Sequence, residues 1–148
     1  MSTVTTHRIH ICTKCRARAD TTSDPRGNET VSPGARLISR LQIALDAKPF
    51  SKPFELSGVE CMAGCNRPCT VAYQADGKAG YLFGDIDPDG SLDALVRFAH
   101  QYAELETGWC SATERPIALL NKTLARIPAL GAGEHPKKIS STSRDGRL

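Results

Sequence analysis

Apolar and polar residues alternate along His7-Arg8-Ile9-His10-Ile11-Cys12. With β-branched isoleucines at the apolar positions, this predicts a strand ending on Cys12. Residues 21–32 are polar and contain Pro25 and Gly27, which predicts a loop. Pro33-Gly34 then opens a helix. Leu37, Leu41, Ala44 and Leu45 fall at helical spacing, Arg36, Arg40 and Asp46 take other faces, and Pro49 and Pro53 end it. Alternation returns over residues 54–60, a second strand that delivers Cys61 at its far end. Thr70-Val71-Ala72-Tyr73-Gln74, a turn at Asp76-Gly77, and Gly80-Tyr81-Leu82-Phe83-Gly84 predict a β-hairpin.

Asp85, Asp87 and Asp89 resemble a carboxylate cluster, but Pro88 and Gly90 among them suit turn and helix-cap duty. Leu92, Leu95, Val96, Ala99 and Ala103 then make the clearest helical stripe of the chain. The spacing predicts a shorter helix over residues 115–126, with Ile117, Leu120, Leu124 and Ile127 on one side. From Pro128 onward Gly, Ser, Lys and Pro dominate. This predicts one domain over residues 7–127 and a disordered basic tail over 128–148. The order is β-α-β-β-β-α plus a terminal helix.

Composition narrows the function classes. The chain has 148 residues, 40% hydrophobic and 24% charged, ordinary values for one globular domain. The net charge of +3 includes a local excess of basic residues in the tail. With only 5% aromatic residues and no basic stripe, nucleic-acid binding is not expected. No apolar run approaches the roughly 18–20 residues that span a bilayer. The first ten residues hold no apolar signal region, so a cytoplasmic location is expected. There is no phosphate loop, no dinucleotide-binding glycine pattern and no Ser-His-Asp order, so a catalyst of those classes is not expected.

The six cysteines change the picture. Cys12 and Cys15 form Cys-x2-Cys after the first strand, and Cys61, Cys65 and Cys69 follow the second within nine residues. Cysteine-only groups favour soft metals, zinc or an iron–sulfur cluster. Lys14, Arg16, Arg18 and Arg67 adjoin them and would favour thiolates. A blander alternative makes the thiols small buried hydrophobes and the cations a solvated face. Disulfide exchange at Cys12-Thr13-Lys14-Cys15 is another, though it leaves Cys61, Cys65 and Cys69 without a role. Cys110 stands apart as a packed thiol. His10 shares a strand face with Cys12, two residues away, which makes it a candidate for the same site, although a lone strand histidine is more often a surface or packed residue than a ligand. His7, His100 and His135 have no evident partners.

These residues resemble a known group. The element order resembles the thioredoxin-like fold, an α/β class with a mixed sheet of about four strands and two main helices. Cys61-x3-Cys65, followed by hairpin and helix, resembles thioredoxin-like [2Fe–2S] ferredoxins. Cys12-x2-Cys15 with Cys61-Met62-Ala63-Gly64-Cys65-Asn66-Arg67-Pro68-Cys69 is similar to an uncharacterised bacterial family of predicted metal-binding proteins, linked to cobalamin gene clusters. The ferredoxin resemblance implies Cys12, Cys15, Cys61 and Cys65 as ligands, with Cys69 as a fifth thiol and alternative ligand. Cys15 lies closer to Cys12 than those ferredoxins space their first pair, and Cys69 stands where they usually have proline. The resemblance implies an electron-transfer protein rather than an enzyme, meeting a redox partner with an acidic face. A homodimer stays open, and no membrane partner is expected. The alternative is an accessory protein that handles zinc or cobalt without redox turnover.

Overall fold

The computed structural model describes residues 5–14, 32–47, 54–64 and 66–130. Its elements are β1 (His7–Cys12), α1 (Pro33–Asp46), β2 (Phe54–Val59), β3 (Val71–Ala75), β4 (Gly80–Phe83), α2 (Leu92–Glu104) and β5 (Thr123–Ile127). Two single 3₁₀ turns, Ala112–Glu114 and Ile117–Leu119, precede β5. The strands form one sheet in the order β2-β1-β3-β4-β5. β1 and β2 run parallel, and every other neighbour is antiparallel. A β-α-β unit followed by a hairpin and a helix, with β1 and β3 central, is the thioredoxin-like arrangement.

The two helices form because their stripes have something to cover. α1 starts at Ser32, whose hydroxyl accepts from the Ala35 N–H at 3.2 Å, and buries Leu37, Leu41 and Leu45. α2 buries Leu95, Val96, Phe98, Ala99, Tyr102 and Ala103. Both pack on the face carrying Ile9, Ile11, Val71, Tyr73, Tyr81 and Phe83. Tyr73 and Tyr81 meet Phe98 edge-on, with ring centroids 4.7 and 5.2 Å apart, and Phe83 meets it at 5.1 Å. The opposite face carries the exposed Arg8, Glu55 and Gln74.

Lys78, in the β3–β4 turn, is buried and finishes α2. Its ammonium donates to the carbonyls of Tyr102 at 2.8 Å and Ala103 at 3.2 Å, in the last turn of the helix. The third bond goes to His7 Nε2 at 2.8 Å. His7 Nδ1 faces the Thr5 carbonyl at 3.1 Å, so the network assigns the hydrogen to Nδ1 and the lone pair to Nε2.

One expectation is overturned. Residues 115–126 are not a helix but a 3₁₀ turn and the edge strand β5, so the sheet has five strands. The apolar spacing misled, because Ile117 is 87% exposed while Leu119, off the expected stripe, is fully buried. Pairing with β4 in the register Gly80↔Ile127, Tyr81↔Arg126 and Leu82↔Ala125 satisfies the backbone instead. Ser91 holds the N-cap of α2, but its hydroxyl accepts from the Asp87 N–H and Lys122 Nζ rather than from the helix. The tail over 131–148 lies outside the described residues.

Candidate metal centre

Three strands converge on the candidate site. Cys12 is the last residue of β1, in register with Val59, so Cys61 lies just beyond the neighbouring strand end. The Cys12 N–H donates to the Thr70 carbonyl at 3.2 Å, which places Cys69 just ahead of the strand on the other side. The Thr13 N–H continues the ladder to the Val59 carbonyl at 2.8 Å. The β2-β1-β3 edge thus gathers Cys12, Cys61 and Cys69 at one end of the sheet. All three are thiols, as is Cys110. Cys15 and Cys65 lie outside the described residues.

The thiols differ in surroundings. Cys12 and Cys69 belong to the buried core, whereas Cys61 is exposed. As a thiol, Cys12 Sγ donates to the Glu60 carbonyl at 3.5 Å. The Ala63 N–H donates to Cys61 Sγ at 3.3 Å, with Ala63 at a positive φ of 61°. Close backbone approach is enforced at two glycines. A Cβ on Gly34 would overlap the Cys12 carbonyl oxygen, so the first turn of α1 lies directly on the end of β1. A Cβ on Gly64 would overlap the Thr70 side chain.

The cysteine loop is also tied from outside. The Arg67 N–H closes a turn onto the Gly64 carbonyl at 2.9 Å. Backbone bonds run from Asp85 N to Arg67 O at 2.8 Å and from Ile86 N to Cys69 O at 3.1 Å. The Arg67 side chain donates to Asp85 Oδ2 and to the Asn121 carbonyl, both at 2.6 Å. Arg67 is therefore a tether whose charge Asp85 answers, rather than a counter-charge aimed at the thiols beside it in sequence. Of the other cations, Lys14 is exposed, while Arg16 and Arg18 lie outside the described residues.

The remaining expectations sort cleanly. His10 Nδ1 meets the Ser57 hydroxyl at 2.7 Å across the β1–β2 pair. Cys110 is a packed thiol 3.5 Å from the Tyr81 hydroxyl. Asp87 accepts from the Asp89 N–H, and Asp89 pairs with Arg40 at 2.6 Å, so these carboxylates hold the turn before α2. His100 lies on α2 and His135 is outside the described residues. Among the described residues, no three His, Cys, Asp or Glu side chains converge as a metal site; two of the four expected ligands are not among them. Sequence reasoning missed the Lys78–His7 contact and a pair of arginines at Cys110, for neither of which any local pattern signals a partner.

The molecule is thus a thioredoxin-like α/β protein with thiols gathered at one end of its sheet. The chain belongs to the family described as Protein of unknown function (DUF1636), whose model matches residues 9–129. No curated protein matches it. Among solved structures it is similar to a thioredoxin-like [2Fe–2S] ferredoxin from Aquifex aeolicus. That likeness has 13% identity and a TM-score of 0.47, over 81% of this chain and 91% of that one. Likeness at this level assigns no cofactor or activity. No helix among the described residues is long and apolar enough to cross a membrane.

Proposed function

We propose that the protein is an electron carrier that holds a [2Fe–2S] cluster on Cys12, Cys15, Cys61 and Cys65, with Cys69 as a fifth thiol beside them. The observation that carries this reading is the gathering of Cys12, Cys61 and Cys69 on three adjacent strand ends, around a loop whose Ala63 N–H points at sulfur. The donor chemistry fits: the set is sulfur only, and iron–sulfur clusters are held by four thiolates with backbone donors to sulfur. Such a cluster takes up and returns one electron at a time. The chain's own part is to keep Cys12 away from water, aim the Ala63 N–H at Cys61 Sγ, and leave Cys61 facing solvent where a partner can dock. The partner is a redox protein with an acidic face, met by Lys14, Arg16 and Arg18. Such contacts weaken with salt, because exposed charges are screened beyond about 8 Å at physiological ionic strength.

A second reading draws on the same site. A fifth thiol permits ligand exchange, and an exposed Cys61 is accessible to an acceptor, which suits an accessory protein handling zinc or cobalt. One preparation separates the two. Anaerobically purified protein should be brown, bleach with dithionite, and contain about two irons and two sulfides per chain. Colourless protein with one zinc per chain rejects the carrier and leaves the accessory reading.

A further inference from the structure

Arg115 and Arg126 aim their guanidinium groups at the same atom. Arg115 Nη1 donates to the Cys110 carbonyl at 3.4 Å, and Arg126 Nη1 donates to it at 3.0 Å. Arg126 is the register partner of Tyr81, so it points from β5 to the helix-bearing face. Its guanidinium carbon stands 3.5 Å from the centre of the Trp109 ring. Arg115 arrives from the segment between the two 3₁₀ turns and stands 5.4 Å from the centre of the Tyr81 ring.

The charge here is not balanced by the residues around it. Arg115 is only 9% exposed, and its Nε is buried with no hydrogen-bond partner. Neither arginine forms an ion pair among the described residues. The carboxylate next to Arg115 in sequence, Glu114, instead accepts from the Ser111 N–H at 2.6 Å. Each guanidinium carries a positive charge and five donors in a fixed fork. Burying an unpaired cation is costly, and two side by side repel. The rings of Tyr81 and Trp109 and a hydrogen bond between the Tyr81 hydroxyl and Arg126 offset part of that cost. The acceptors these two charges meet, this hydroxyl and the Cys110 carbonyl, are both neutral. What completes such an arrangement is a ligand with several negative oxygens in a plane or tetrahedron, the shape that a guanidinium fork matches.

We propose that Arg115 and Arg126, beside Trp109, form a binding site for an oxyanion, the carboxylate or phosphate group of a small molecule. The site is separate from the thiols. Tyr81 and Arg126 pair near the hairpin end of β4, whereas Gly84, at its other end, packs against the Arg67 carbonyl. It therefore stands or falls independently of the cluster.

The test titrates inorganic phosphate, and in parallel acetate, into the full-length protein in chloride buffer at constant ionic strength, reading thermal unfolding and isothermal calorimetry. At least one anion should raise the midpoint saturably, with matching calorimetric binding. A preference for phosphate or for acetate identifies the class, and equal responses still support an oxyanion site. Arg126→Gln, at a half-buried position, and Arg115→Lys, which keeps the charge but loses the fork, should each weaken binding at least tenfold while circular dichroism stays native. No saturable response to either anion overturns the proposal. So does an undiminished response in Arg126→Gln, and so does one in Arg115→Lys.

Discussion

Replacing Lys78 by methionine keeps most of the volume of the side chain and removes only its ammonium. That ammonium donates to Tyr102 O, Ala103 O and His7 Nε2, so all three of its hydrogens are used. Hydrogen bonds from a charged donor contribute about 1.5–3 kcal/mol each, and the low end applies where the charge is also desolvated. Three of them come to about 4.5 kcal/mol, and methionine recovers about 1.5 kcal/mol in apolar burial. The expected net loss is about 3 kcal/mol. For a domain of this size that lowers the melting temperature by roughly 6–12 °C. Urea unfolding followed by far-UV circular dichroism measures it, with an unchanged m-value showing that only stability moved. A Lys78→Met protein within 1 kcal/mol of the parent, or more stable, would mean that desolvating the ammonium cancels its bonds. The capping argument would then be wrong.

Other expectations concern the site and the core. Serine at Cys12, Cys15, Cys61 or Cys65 should abolish or destabilise metal retention, whereas Cys69→Ser should retain an altered centre; iron, sulfide and zinc analysis of each variant decides. Gly34→Ala drives a Cβ into the Cys12 carbonyl, so overpacking should cost about 1–3 kcal/mol despite alanine's better helix propensity. Denaturant midpoints equal to the parent's would refute the close approach. Burial pushes Tyr73, Tyr81 and Tyr102 above the ordinary value of 10.0, helped at Tyr81 by Cys110 and at Tyr102 by Tyr81. The folded state therefore holds protons that the unfolded chain releases. Stability is intact below pH 10 and falls above it, by about 3 kcal/mol per pH unit for Tyr73 and Tyr102 together. Tyrosinate absorbance should rise together with loss of ellipticity, and tyrosines ionising near pH 10 in a folded protein would contradict this.

Much of this architecture could be read from residue spacing. β1 and the hairpin alternate, and α1 and α2 carry stripes long enough to overcome the ambiguity of short apolar runs. Cys12 and Cys61 were visible as strand-end residues for the same reason. β5 was not, since five residues at a sheet edge offer too short a pattern, and Ile117, Leu120 and Leu124 mimic a helical face by chance of spacing. The burial of Cys69 follows from its place between Ile86 and the start of β3, a tertiary fact with no local sign. Likewise, Lys78 and His7 lie 71 positions apart in sequence. Arg67 was read as a counter-charge because its neighbours in sequence are thiols, while its partner Asp85 comes from the far side of the hairpin.

The layer of Tyr73, Tyr81, Phe83, Phe98 and Tyr102 joins α2 to the sheet without using a single ligand candidate. In zinc fingers the metal supplies the folding energy, and the chain collapses when a chelator removes it. Here the cohesion resides in hydrocarbon and rings, so the fold is expected to keep its shape whether or not the thiols hold a metal. The lifetime of the folded chain is then set by the aromatic layer, and the cysteine end of the sheet is free to change without costing the fold its cohesion.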